Sequence, residues 1–247
     1  MIFPPGNLPA ETPVQLYPLG DSAIVLQFGD AINSTIHRTI QAVGAYLEEH
    51  PFASFLEYVP AFTTLTVYYN PWLASKAGRL DPYATVASYL QELLRHVPAP
   101  ASGAASPVVE VPVCYGGRFG PDLEWLARHT ALTPKQVVAL HTKPEYLVYM
   151  IGFAPGFPYL GGLNELLAAP RKDQPRAEVP AGSVGIAGKQ TGIYSLPTPG
   201  GWQLIGRTPR RLFTPEATSP SLLRAGQRLR FVPITEPEYY HLQEHES

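Results

Sequence analysis

The 247-residue chain has one cysteine, Cys114, so no disulfide can form within it, and a reducing compartment suits it. It has no long apolar run. The most apolar stretch, residues 146–163, is broken by four glycines and two prolines and does not read as a membrane span. No sign of charge dominates: a formal net charge of −2 excludes a broadly basic nucleic-acid binder. The opening residues MIFPPGNLPAE lack the positive and apolar regions of a secretory leader, which makes the cytoplasm the expected location. No internal repeat of fixed period is visible.

What the chain has in excess is proline. Its 28 prolines and 21 glycines exclude a mostly helical protein, because proline removes helix donors and clashes with the preceding turn. Hydrophobic residues make up 45%, enough for a core, so a disordered chain is excluded as well. Short strands joined by many ordered loops are expected. Charge is also uneven. Residues 1–97 carry 4 Lys and Arg against 8 Asp and Glu, whereas residues 98–235 carry 14 against 8. The middle block can attract an anionic ligand, or it presents a solvated basic surface.

Hydrophobic periodicity divides the chain further. Ser22–Phe28 reads as a strand. Ile32, Ile36, Ile40, Val43 and Leu47 then recur at helical spacing, with Asn33 or Ser34 as the cap. Two β-rich runs, 54–59 and 64–69, precede Asp81-Pro82, a cap followed by proline at the first helical position. Val86, Leu90, Leu93, Leu94 and Val97 form the apolar face of that second helix. The order β-α-β-β-α predicts a small ferredoxin-like α/β domain over residues 1–97, with helices on an antiparallel sheet. Residues 98–107 consist only of Pro, Ala, Ser and Gly and read as a linker. Residues 108–235 offer one strand, two short helices at 121–130 and 134–141, then short strands between Pro- and Gly-rich turns, the pattern of a β-barrel. The overall class is α+β. Residues 236–247 are acidic and read as a loose tail.

Several motifs fail on their chemistry. HLQEH at 241–245 has the inverted zinc-protease spacing, but it lies in the last seven residues with no third ligand, and no metal is expected. SVGIAGKQT at 183–191 departs from a phosphate-binding loop at Ser183 and Gln190, leaving Lys189 as a turn lysine or a non-Walker anion contact. Cys114 has no local base to activate its thiol and reads as packing. No Ser has the flanking glycines of a nucleophile elbow.

Two stretches remain. GFAPGFPYLGG (152–162) interleaves glycine and proline with Phe153, Phe157 and Tyr159, a rigid aromatic loop. PRAEVPAGSVGIAGKQTGIYSLPTPGGW (175–202) sets Arg176, Ser183, Lys189, Gln190, Thr191, Tyr194 and Trp202 among glycines that let a ligand approach the backbone. Arg171, Arg176, Arg207, Arg210 and Arg211 bracket it, and arginine forks suit carboxylate or phosphate. Barrel turns carrying surface arginines would give the same composition.

These stretches, with PLGDSAIVLQFGD (18–30), YVPAFTTLTVYYNP (58–71), VPVCYGGRFGPDLEWLA (111–127) and HTKPEYLVYMIGFAPGFPYLGGL (141–163), carry a resemblance. The chain resembles the KipI family, also called the B subunits of 5-oxoprolinase (PxpB) and, in older terms, allophanate hydrolase subunit 1. The resemblance implies a cyclophilin-like β-barrel after the small α/β domain. It implies a complex with a KipA-like sister (the 5-oxoprolinase C subunit) and a LamB-like protein (the 5-oxoprolinase A subunit). That complex opens 5-oxo-L-proline to L-glutamate with hydrolysis of ATP, the ATP carried with magnesium. Two other readings stand beside it: an inhibitor of a sensor histidine kinase, and a carboxyltransferase-related subunit.

For the enzyme reading, a stabilised amide must be activated, and phosphorylation of its oxygen demands cations around the phosphate. Arg176 and Lys189 are assigned to anionic groups, with Lys189 also catalytic. Ser183, Gln190, Thr191 and Tyr194 are expected to contact the substrate. His141 is the candidate general acid/base, with a structural histidine at a helix end as the alternative. Phe153, Phe157, Tyr159 and Trp202 are expected as pocket wall or partner anchors.

Overall fold

Alternating apolar residues in the first hundred positions build one sheet covered by two helices. The computed structural model describes residues 2–3, 14–99 and 107–245. Most of the stretch read as a linker, most of the segment read for a leader, and the last two residues of the chain lie outside these. The chain divides into two units, Met1–Ala104 and Ala105–Ser247.

In the first unit the strands are β1 (Ile2–Phe3), β2 (Val14–Pro18), β3 (Ala23–Gln27), β4 (Phe55–Pro60) and β5 (Thr64–Tyr69). They form a five-stranded sheet in the order β1-β2-β3-β5-β4, antiparallel at every pairing. Helix α1 (Ser34–Glu49) carries the chain from β3 to β4, and β5 inserts between those two strands, the split βαβ arrangement. The single-turn α2 (Pro71–Ala74) and then α3 (Pro82–His96) follow. Cross-strand register sets Leu16 against Leu26, Leu26 against Leu65 and Ile24 against Val67 on one face. Ile36, Ile40, Val43 and Leu47 of α1 and Val86, Leu90 and Leu94 of α3 fill the core against that face. Asn33 caps α1 by accepting from Ile36 N at 2.8 Å, so Ile32 stays outside the helix and is 49% exposed. Asp81 caps α3 at Ala84 N, and Pro82 supplies the first turn with the fixed φ a helix start needs.

The second unit begins with β6 (Val109–Tyr115), α4 (Leu123–His129) and α5 (Pro134–Thr142). Thr133 and Gln136 form a reciprocal capping box at the start of α5. The remaining strands are β7 (Tyr146–Ile151), β8 (Pro158–Gly161), β9 (Arg176–Val179), β10 (Ser183–Ala187), β11 (Gln190–Ile193), β12 (Thr198–Gly200), β13 (Gln203–Arg207) and β14 (Arg228–Ile234). Seven of the strands close into a barrel in the order β10-β11-β8-β7-β14-β6-β13, with β13 returning to pair with β10. Only β6 and β14 run parallel within it. Closure leaves no unpaired sheet edge, and Val111, Val113, Val148, Leu160, Val184, Ile186, Ile205 and Phe231 belong to its core. Outside the barrel, β9 and β12 pair as a two-stranded ribbon.

The acidic tail corrects the sequence expectation. Residues Glu236–His245 form helix α6 rather than a loose end. Tyr239 is buried, 4.6 Å between ring centroids from Phe119, and clusters with Cys114. Arg118 pairs with Glu236 at the start of the helix. Glu238 caps from inside the first turn, accepting from both the backbone N and the hydroxyl of Thr235. The HLQEH spacing is therefore helical spacing: the His241 and His245 rings lie 4.4 Å apart. Among the described residues no group of three His, Cys, Asp or Glu side chains is placed to hold a metal ion.

Candidate functional site

The aromatic residues of the two singled-out stretches converge. Phe157 leads into β8, Tyr159 lies within it, Tyr194 follows β11 and Trp202 precedes β13, so closure of the barrel brings separate segments together. Phe157 stands at the centre. Its ring meets Tyr194 edge-on at 5.4 Å, Trp202 at 5.6 Å and Tyr159 at 4.9 Å. Such pairs add about 0.5–1.5 kcal/mol each beyond area burial and lock the rings against one another. A cavity of about 360 Å³ opens over them, also lined by Phe153, Arg171, Pro175 and the 199–201 segment.

Phe153 gives this wall its unusual element. It is 64% exposed with φ of +67°, a backbone conformation that costs a non-glycine residue strain. The loop is tied on both sides, Gly152 N donating to Phe157 O and Phe157 N to Ala154 O. That tie holds the Phe153 ring against Phe157 and Tyr194 at the rim. Elsewhere in the lining, Gly200 allows the closest approach. A Cβ there would lie 2.3 Å from the Tyr194 hydroxyl oxygen, so any larger residue would displace the ring.

Arg171 is the one charged side chain among the described residues lining the cavity. Burial raises the Tyr194 phenol above its usual range; the backbone of Trp202 and the charges of Arg171 and Arg176 oppose the shift. The Tyr159 phenol is raised by burial too, again opposed by Arg171. Both hydroxyls therefore keep their protons at neutral pH and remain donors. An aromatic floor, two phenolic donors and one guanidinium suit a small planar ring bearing an amide and a carboxylate.

The cavity's shape rests on a residue the sequence reading did not single out. Asp122 is buried just before α4 and makes no side-chain cap there. Its carboxylate instead accepts from Arg176 Nη2 at 2.8 Å on both oxygens, from Leu204 N at 2.7 Å and from Lys172 Nζ at 3.4 Å. These bonds fix the 170–176 chain, and Lys172 N in turn donates to Gly201 O at 2.7 Å. Arg176 is thus consumed inside the protein and is not part of the cavity lining. The available signal was an acidic residue in an apolar context, GPDLEWLA, opposite the basic 171–176 run.

The other expected site residues divide into two groups. His141 and Thr191 meet in the barrel interior, both fully buried. The Thr191 hydroxyl donates to Gly185 O at 3.0 Å, so its oxygen accepts from His141 Nε2–H at 3.0 Å. His141 Nδ1 then accepts from the Tyr115 hydroxyl at 2.8 Å, and the His141 carbonyl accepts from the Tyr146 hydroxyl at 2.7 Å. The ring also stacks on Phe231 at 4.5 Å. Burial pushes its pKa down to about 3, holding the neutral Nε2–H form. A residue with no exposed surface and both nitrogens engaged does not meet substrate in this conformation, so the general acid/base assignment to His141 gives way to a structural one. Ser183 is likewise enclosed in β10.

Lys189 and Gln190 sit at the β10–β11 hairpin, where Ala187 pairs with Gln190 across the Gly188-Lys189 turn. Lys189 points to solvent and pairs with exposed Glu165 at 2.9 Å, an ion pair of small energetic weight. Neither residue lines the aromatic cavity, so the catalytic and anion-binding roles expected of Lys189, and the substrate contact expected of Gln190, find no support in this geometry.

Comparison with known proteins places the chain. It is 49% identical over 233 residues to a Bacillus subtilis protein named as the B subunit of 5-oxoprolinase, covering 93% of this chain and 97% of that one. It is 42% identical to a protein of the same name from Escherichia coli O157:H7, over 89% and 96% of the two chains. The crystal structure of TTHA0988 superposes with a TM-score of 0.74 at 37% identity, covering 87% of this chain and 41% of that one. Residues 14–223 match the model of the carboxyltransferase domain, subdomains C and D, and the chain belongs to that family.

Proposed function

We propose that this chain is the B subunit of a 5-oxoprolinase, the complex that opens 5-oxo-L-proline to L-glutamate with hydrolysis of ATP. The observation that carries the reading is end-to-end identity at 49% and 42% with two proteins bearing that name. The aromatic cavity supports it chemically. 5-Oxoproline is a small flat lactam with a carboxylate, and the cavity offers ring faces for the lactam, phenolic donors for its carbonyl and Arg171 for the carboxylate. The protonated hydroxyl of Tyr194 donates to the lactam oxygen and orients it. Arg171 sets which end of the ring its guanidinium receives.

Lactam opening needs the amide oxygen activated, and ATP supplies that activation within the assembled enzyme. The partners under this reading are the KipA-like C subunit and the LamB-like A subunit. The described residues include no helix long and apolar enough to cross a membrane. Glutamate release from 5-oxoproline and ATP, measured with all three proteins and then without this one, tests the proposal. Activity that disappears on omission supports it, and activity that persists overturns it.

A further inference from the structure

Strand β13 opens on a buried polar side chain, Gln203, set opposite Ile186 of β10. It follows Trp202 of the cavity wall and precedes Leu204, whose amide Asp122 holds. Gln203 Nε2 donates to Pro170 O at 3.0 Å. A carbonyl can only accept, so this bond decides which end of the amide is which. Oε1 is then left buried, with no hydrogen-bond partner among the described residues. An enclosed acceptor without a donor costs stability, and an apolar side chain of the same length would not carry that cost. Packing alone would be better served here by methionine or leucine. Where a buried group breaks that rule, a functional site is the expected reason.

What the amide reaches is the backbone of Arg171. Pro170 O belongs to the peptide group before Arg171, and Lys172 N belongs to the one after it. Lys172 N donates to Gly201 O at 2.7 Å. Both peptide groups flanking Arg171 are therefore bonded to residues on either side of Trp202, one to Gly201 and one to Gln203. Trp202 and Arg171 both line the aromatic cavity, whereas Gln203 is not among its lining residues. Residues 170–175 belong to no strand or helix, so these two bonds do for Arg171 what a ladder does within a sheet. Arg171 is itself exposed, and a long side chain aims its guanidinium well only when its own backbone is held.

We propose that Gln203 is a positioning residue: without touching the ligand, it holds Arg171 and so sets the cavity's preference for a lactam that carries a carboxylate. The inference rests on the reading of the aromatic cavity as the 5-oxoproline site. The Gln203 bond fixes the peptide plane, the plane fixes the direction in which the Arg171 side chain leaves the backbone, and the guanidinium meets the carboxylate with less freedom left to lose. Without the bond, the carbonyl of exposed Pro170 turns to water and Arg171 samples orientations that miss the substrate. The loss falls on binding of the carboxylate, in ground state and transition state alike, and not on the activation of the lactam oxygen by ATP.

The test is steady-state kinetics of the three-protein enzyme assembled with the parent chain, Gln203→Met, Arg171→Gln and the double variant. Gln203→Met keeps the length of the side chain and removes only the donor and the unpartnered acceptor. It is expected to raise the KM for 5-oxoproline about fivefold or more, the scale of one lost hydrogen bond, with kcat changed less and the KM for ATP unchanged. In the Arg171→Gln background the same substitution is expected to change the KM for 5-oxoproline by less than about twofold, since the group it positions is gone. An unchanged KM in Gln203→Met, an equal rise in both backgrounds, or a parallel rise in the KM for ATP overturns the proposal. Gln203→Leu repeats the measurement should the methionine variant fail to fold, and failure of both to fold assigns Gln203 to the fold alone and overturns it as well. A parent enzyme that releases no glutamate overturns the functional reading and this inference with it. An active parent whose KM rises in Arg171→Gln but not in Gln203→Met overturns this inference alone.

Discussion

Asp122 holds together chain segments far apart in sequence: Lys172 before the ribbon strand β9, Arg176 at its start, and Leu204 within β13. Replacing it leaves the mostly buried Arg176 guanidinium without its counter-charge and the Leu204 amide without an acceptor. We expect Asp122→Ala to destabilise the second unit by about 3–5 kcal/mol, the range for breaking a buried ion pair on one side. Urea denaturation checks this; a loss under about 1 kcal/mol would mean the pair behaves as a surface contact. His141 makes a different prediction at the same scale. Its pKa is near 3 in the fold against 6.5 for an ordinary histidine, so the unfolded chain binds a proton that the native protein refuses. Its stabilising contribution is complete above pH 6.5 and is lost as pH falls toward 3, with a slope of up to about 1.4 kcal/mol per pH unit. Buried His37, lowered to about 4, adds a slope of the same sign between pH 6.5 and 4. Urea midpoints at several pH values should fall accordingly, and His141→Asn should flatten the dependence; identical slopes in both proteins would contradict the account. Residue roles were legible from sequence where local context decides them, as with the Asn33 and Asp81 caps. Those of His141 and Arg176 were not, because they depend on partners 50 and 54 positions away.

At the scale of elements, the helices α1, α3 and α5 could be read from apolar spacing and cap chemistry, and β5 and β10 from runs of β-branched residues. Strands β1 and β2 escaped notice in the first unit, and in the second so did β8, β9 and β12, which are three or four residues long and rich in proline, glycine and charged residues. Their conformation comes from ladder pairing across the barrel or ribbon, not from local preference. Helix α6 escaped for a related reason: its low apolar content reads as a tail, and Tyr239 alone anchors it in the core. That anchor covers Cys114, whose thiol is raised above its usual pKa by burial, with Arg118 opposing. Truncation after Ile234 or the substitution Tyr239→Ala should expose the thiol. We expect at least about tenfold faster labelling by a disulfide reagent than in the parent, since reactivity follows thiolate access. Unchanged labelling would mean that α6 does not shield Cys114.

For the whole molecule, each unit has its own core, with Leu26, Ile40 and Leu90 among the buried residues of the first and Val111, Ile186 and Phe231 among those of the second. The excess of Lys and Arg in residues 98–235, visible in sequence as a bulk asymmetry, divides structurally into the Asp122 anchor, surface pairs and a cavity lined by Arg207, Arg210 and Arg211. Composition could show the asymmetry but not that division, since Arg176 and Arg211 look alike until the barrel closes and sets each beside its partners. Under the proposed function, the aromatic cavity receives 5-oxoproline with Arg171 on its carboxylate. The most direct test is steady-state kinetics of the three-protein enzyme assembled with Arg171→Gln. We predict a KM for 5-oxoproline raised about tenfold or more, with kcat changed less than KM, as loss of ground-state and transition-state binding alike requires. An unchanged KM would contradict it and move the substrate out of this cavity.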